Sequence, residues 1–141
     1  MEKQVDVLII GAGISGIGLA VHLSKNCPQR QFEILERRES FGGTWDLFRY
    51  PGIRSDSDMS TFGYNFKPWG KEKVLASGAE IKSYLKDVIS ENQLKDKIHF
   101  GHRVLSANYD STRKKWLVEI EDQNKKKQTW AANFVMGCTG Y

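Results

Sequence analysis

An α/β fold, with a parallel sheet that carries an antiparallel β-meander, is what three features of the 141-residue sequence predict. Near the start, an apolar strand runs into a glycine-rich turn and then a helix. Further on lies a second amphipathic helix that brings its own capping residues. After it, the hydrophobic period changes from 3.6 to 2, so strands replace helices.

The first strand is Val5-Asp6-Val7-Leu8-Ile9-Ile10, and Gly11-Ala12-Gly13-Ile14-Ser15-Gly16 follows it. A helix is predicted over about 14–26, then a strand over about 31–36 that contains Phe32-Glu33-Ile34-Leu35 and ends on Glu36. Gly11 permits a tight turn out of the strand, and Gly13 lets the backbone approach a pyrophosphate. Gly16 and Ala20 let the helix lie close on the sheet, its positive end facing the phosphates. Glu36 comes 20 residues after Gly16, where a carboxylate can accept both hydrogens of an adenosine ribose diol. A glycine fingerprint alone is weak. Combined with the strand, the helix and the acid, it predicts an adenine-dinucleotide site on a Rossmann-like unit. Ile17, Ala20, Val21 and Ser24 repeat at i, i+3, i+4 and i+7, which predicts the helix face that meets the sheet.

Residues 37–76 show no sustained period, yet Phe41 to Trp69 hold eight of the sixteen aromatic residues. Such a long irregular segment is functional or disordered, and its rings argue against disorder. It can cap the core, or it can form an apolar wall for a large flat ligand. The wall is the favoured reading, with Gly42-Gly43 letting backbone amides approach and Thr44, Arg49, Arg54, Ser55 and Asp56 as polar groups. Ser77-Gly78-Ala79-Glu80 is a capping box, and Ile81, Tyr84, Leu85, Val88 and Ile89 form the stripe of a helix over 78–91. A β-meander is predicted within about 98–132, from strands at 104–109, 116–121 and 128–132. Phe134 to Cys138 are apolar in succession and predict a separate strand buried on both faces. Thr139-Gly140-Tyr141 follows, an unusual place for a domain to finish.

Composition bounds the function. One domain over 1–141 is expected, with 40% hydrophobic and 27% charged residues, as in soluble globular proteins. The net charge of +4 gathers in Arg113-Lys114-Lys115 and Lys125-Lys126-Lys127, both at hairpin turns and without interleaved aromatics, so no nucleic-acid partner is expected. The apolar start is too short for a membrane span and is cut by Gly11, so no stable membrane insertion is expected and the cytoplasm is the default location. Cys27, Cys138, His22, His99 and His102 have no metal-ligand spacing, and no metal is expected.

Glu36-Arg37-Arg38, Gly42-Gly43-Thr44-Trp45, Arg49-Tyr50-Pro51-Gly52-Ile53-Arg54-Ser55-Asp56 and the closing Cys138-Thr139-Gly140-Tyr141 resemble the start of a class B flavoprotein monooxygenase. The likeness is narrower still to the Baeyer–Villiger monooxygenases of the flavin-containing monooxygenase group. It implies the FAD domain of a two-dinucleotide-binding-domain flavoprotein, present here as an N-terminal portion. Members of that group are longer. They carry a second glycine fingerprint for NADPH, a Phe-x-Gly-x-x-x-His-x-x-x-Trp signature and a catalytic arginine, none of which this sequence matches.

The implied activity belongs to a complete enzyme, with FAD and NADPH as cofactors and O₂ as co-substrate. A C4a-peroxyflavin would convert a ketone to an ester or lactone, or oxygenate a thioether. The 141-residue chain alone would be inactive without the NADPH domain of the same polypeptide. The resemblance assigns Gly11, Gly13, Ser15 and Gly16 to the pyrophosphate turn and Glu36, with Arg37 beside it, to the ribose end. It places Gly43, Thr44, Trp45, Asp46 and Leu47 along the cofactor and Arg54, Ser55 and Asp56 near the flavin and nicotinamide. Val104 would meet the adenine through its backbone. Asp56 would be catalytic through association with the missing arginine, although the residue reads equally as a loop-capping carboxylate. Two other readings are open: a binding module for FAD or NAD with no activity of its own, and an NAD-binding dehydrogenase domain, which Glu36 suits equally but the aromatic loop and the meander disfavour.

Overall fold

The computed structural model describes residues 2–140, so Tyr141 of the closing motif lies outside the described residues. Its strands are β1 (Glu2–Ile10), β2 (Phe32–Leu35), β3 (Ile98–His99), β4 (Arg103–Asp110), β5 (Lys115–Glu121) and β6 (Lys127–Gly137). They form one sheet in the order β3-β2-β1-β6-β5-β4. β3, β2, β1 and β6 are mutually parallel, and β4, β5 and β6 are antiparallel. This is the predicted Rossmann-like α/β fold.

Helix α1 (Ile14–Asn26) makes the crossover from β1 to β2, as a parallel pair requires. Its buried face is Gly16, Ile17, Ala20 and Val21, packed with Val7, Ile9, Phe32 and Ile34 of the sheet. Ser24, expected on that face, is instead exposed, and its hydroxyl donates to the Ala20 carbonyl at 3.0 Å. Serine gains more from that backbone bond and from water than from an apolar contact.

The aromatic segment is not wholly irregular. It contains the short helices α2 (Thr44–Leu47) and α3 (Met59–Phe62), each too brief to show a period. Helix α4 (Gly78–Glu91) has the predicted bounds, and Ile81, Tyr84, Leu85, Val88 and Ile89 are its buried stripe. Its capping box is formed: the Glu80 amide donates to Ser77 Oγ at 3.2 Å, and the Ser77 amide donates to Glu80 Oε2 at 2.8 Å. The Ser77 amide bond, with Lys73 beside it, holds the Glu80 carboxyl at about 2. Ser77→Ala is expected to lower stability by about 1 kcal/mol, read as a shift of the urea midpoint at unchanged slope.

Three expectations need correction. The third meander strand and the buried strand at 134–138 are one strand, β6, which pairs with β5 through residues 127–132 and with β1 through 129–137. The residue between the halves, Asn133, makes no turn; its side chain donates to Asp6 Oδ1 at 3.0 Å and stitches β6 to β1. Second, the meander starts at Arg103 rather than near 98, because Ile98 and His99 join the parallel edge beside β2. Third, the far end of β6 is not buried on both faces: Phe134 is 59% and Met136 40% exposed. Among the described residues no helix packs over them as α1 packs over β1.

Candidate dinucleotide groove

The glycine turn closes first on itself. Gly11 has φ +111°, and a Cβ there would lie 2.3 Å from the Cys138 carbonyl oxygen, where β6 ends against β1. A Cβ at Gly16 would lie 1.9 Å from the Gly11 carbonyl oxygen. These two glycines are demanded by backbone packing. Gly13 differs. A Cβ there would meet nothing nearer than Gly43 Cα at 3.6 Å, an ordinary contact, so the packing of the turn does not itself demand glycine.

Gly43, at φ +54°, belongs to a second glycine turn that leans on the first. The Gly42 amide donates to the Ala12 carbonyl at 2.9 Å, and α2 starts directly after this contact. Opposite stands Glu36, only 7% exposed. Its Oε2 accepts the Ala12 amide at 2.8 Å and its Oε1 the Arg38 amide at 3.0 Å. The Glu36 main chain also accepts from the His102 amide and donates to the His99 carbonyl, both at 2.9 Å. Those bonds draw the start of β4, and Val104 with it, to the end of β2.

The result is a groove of about 660 Å³, within the range of small-molecule sites. Of the residues expected at a cofactor, Gly11, Gly13, Ser15, Glu36, Arg37, Gly43, Thr44, Trp45, Leu47 and Val104 line it. Arg38, Phe48, His102, Arg103, Cys138 and Thr139 line it too and were not singled out as ligand residues. For His102 and Arg103 the available signal was Gly101, whose φ of +66° makes the turn that brings them in. Burial raises the Cys138 thiol above its ordinary range, so it stands in the groove as a neutral group.

Six other candidates lie elsewhere, among them Arg49, whose guanidinium pairs with Asp46. Gly16 sits beneath the turn, and the Asp46 side chain points into an ion-pair cluster described below. Arg54 bridges to Ser77 and lines a separate apolar cavity with Ile53 and Gly78. Ser55 is buried, and its hydroxyl donates to the Ser57 carbonyl at 2.7 Å. Asp56 is exposed on the same loop. The aromatic segment divides as well. Trp45 and Phe48 wall the groove, whereas Phe41, Tyr64, Phe66 and Trp69 cover the core beside α1 and α4. Gly18 makes room for this: a Cβ there would be 2.7 Å from the Tyr64 ring, whose hydroxyl donates to the Ile14 carbonyl.

These residues fit the phosphates and ribose of a dinucleotide. Gly13 brings bare backbone to the groove lining, and the Glu36 carboxylate retains lone pairs beyond those taken by two amides. The comparisons agree with the geometry. The family model of the NAD(P)-binding Rossmann-like domain matches residues 9–71. Over its full length the chain is 94% identical to a probable FAD-binding monooxygenase, AlmA, of an Acinetobacter species, and covers 28% of that protein. The chain is homologous to the FAD-containing monooxygenases. A second such monooxygenase, MymA of Mycobacterium tuberculosis (strain CDC 1551 / Oshkosh), is 49% identical over the whole chain, which covers 29% of it. Among solved structures, cyclohexanone monooxygenase from Rhodococcus sp. Phi1 bound to NADP⁺ superposes with a TM-score of 0.84 at 28% identity, over 99% of this chain and 26% of that one. The chain therefore spans just over a quarter of the length of these monooxygenases and matches their N-terminal part. No helix among the described residues is long and apolar enough to cross a membrane.

Proposed function

We propose that this chain supplies the FAD-binding groove of a Baeyer–Villiger-type flavoprotein monooxygenase that uses NADPH and O₂. The observation that carries the proposal is the meeting of Gly13, Gly43, Glu36 and Val104 around one groove. The backbone at Gly11–Ser15 would hold the pyrophosphate at the start of α1, and Glu36 would hold the adenosine ribose diol. Trp45, Leu47 and Phe48 would cover an aromatic ring system and exclude water from it. What FAD supplies when bound is oxygen activation after reduction by NADPH, chemistry that no side chain offers. The substrate class is a ketone, taken to an ester or lactone, or a thioether.

Asp56 keeps its proposed place beside the catalytic arginine, contributed by the NADPH-binding part of the same polypeptide. Its exposure is what a residue awaiting such a partner requires. The matched family model also describes NAD(P)-binding domains, so an inert nucleotide-binding module is the second reading.

One experiment separates the two. The purified full-length polypeptide is expected to show the visible absorbance bands of an oxidised flavin and to form ester from phenylacetone with NADPH. The 141-residue chain, which has a single dinucleotide fingerprint, is expected to form none. Retention of NAD in place of FAD by the full-length protein would support the module reading instead.

A further inference from the structure

We infer that Asp46 is a positioning residue for the groove: its buried carboxylate gathers three cations from three parts of the chain and thereby fixes the Gly42-Gly43 turn opposite Gly13. This rests on the reading of the groove as an FAD site. Asp46 is only 1% exposed. Its Oδ2 accepts from Arg38 Nη2 at 2.9 Å, and its Oδ1 accepts from Arg49 Nη2 at 2.6 Å and Lys82 Nζ at 2.5 Å. Arg49 Nε also donates to the Asp46 carbonyl at 2.8 Å. Arg38 follows β2, Arg49 follows α2 and Lys82 lies in α4, so one carboxylate ties two segments that line the groove, the end of β2 and α2, to α4. With both oxygens engaged and its side chain outside the groove lining, Asp46 has nothing to offer a ligand directly.

The path from this cluster to the groove is short. The Asp46 amide donates to the Gly43 carbonyl at 3.1 Å, and a Cβ at Gly42 would lie 3.2 Å from Asp46 Cβ. Gly42 in turn bonds to Ala12, and Gly43 lies so near Gly13 that a Cβ on it would be 3.2 Å from Gly13 Cα. Burial alone would raise the Asp46 pKa. The bonds from Lys82, Arg38 and Arg49 outweigh it and hold the carboxyl well below the usual range. Without the carboxylate, three converging cations would repel one another and push α2 away from α4. The groove wall would then lose its register with Gly13.

The test measures FAD dissociation constants in the full-length polypeptide by flavin fluorescence, well below each variant's unfolding midpoint. The variants are Asp46→Asn, Asp46→Glu, Lys82→Met and the Asp46→Asn/Lys82→Met pair, with Glu36→Ala as the groove control. Asp46→Asn is expected to weaken binding by about 10- to 100-fold. Lys82→Met should weaken it less, and Asp46→Glu should recover part of the loss. The pair should be no weaker than Asp46→Asn alone, because both changes act through one network. Should Asp46→Asn not fold, Lys82→Met, whose side chain is already 30% exposed, still carries the test by weakening FAD binding. Parental affinity in Asp46→Asn beside an impaired Glu36→Ala overturns the positioning role alone. Fully additive losses in the pair overturn it too, since they would mark Asp46 as a direct ligand. Parental affinity in Glu36→Ala as well would remove the groove assignment on which the inference stands.

Discussion

Gly16→Ala is expected to cost about 3 kcal/mol or more and to leave little soluble protein. The new methyl would sit 1.9 Å from the Gly11 carbonyl oxygen and 3.3 Å from Ile9 Cγ2. The first of these is backbone, so no rotamer change can relieve it. Either α1 lifts from the sheet or the turn opens, and α1 lies against Val7, Ile9, Phe32 and Ile34 in the main core. Overpacking usually costs about 1–3 kcal/mol when side chains can adjust, and here they cannot. The measurement is thermal unfolding of the apo protein by circular dichroism, beside Gly13→Ala. At Gly13 the nearest atom to a new Cβ is 3.6 Å away, which is ordinary contact, so that variant should stay folded. Equal losses of stability in the two variants would show that the turn is held by something other than the Gly11–Gly16 contact. The pair also sorts the fingerprint by function. One glycine keeps the helix on the sheet, and the other is the one proposed to keep the approach to the ligand open.

Legibility of the chain followed the range of the interactions. Helix α4 could be bounded from its residues because its cap and its stripe are local, within three or four positions of each other. The β1–α1–β2 unit could be read for the same reason. β6 could not, because its length is set by two partners at once, β5 on one side and β1 on the other. A strand that is antiparallel to one neighbour and parallel to the next shows no single pattern along the sequence. Two residues at 98–99 were likewise too few to signal an edge strand. In the groove, the positions tied to glycine spacing or to a familiar motif were legible, whereas His102 and Arg103 enter only through the fold of the β3–β4 connection. Asp46 is the instructive case. Its motif marked it as a residue along the cofactor, but three cations, one of them Lys82 in α4, decide where its side chain points.

Glu36→Ala is expected to raise the FAD dissociation constant of the full-length polypeptide by about 10- to 150-fold. That corresponds to the ~1.5–3 kcal/mol of hydrogen bonds made to a charged group. The carboxylate is positioned before any ligand arrives, since Ala12 and Arg38 amides hold its two oxygens at 2.8 and 3.0 Å. Binding would therefore need no reorganisation at this end of the groove, and the proposed diol would use lone pairs already aimed by the protein. Part of the loss in the alanine variant comes from the Ala12 amide, left without its acceptor inside the glycine turn. Glu36→Gln separates the two contributions. Its amide oxygen can keep one backbone bond while the charge is gone, so its affinity should fall between that of the parent and that of Glu36→Ala. Unchanged FAD affinity in Glu36→Ala would falsify the ribose assignment, because a buried carboxylate facing a bound diol cannot be removed without effect.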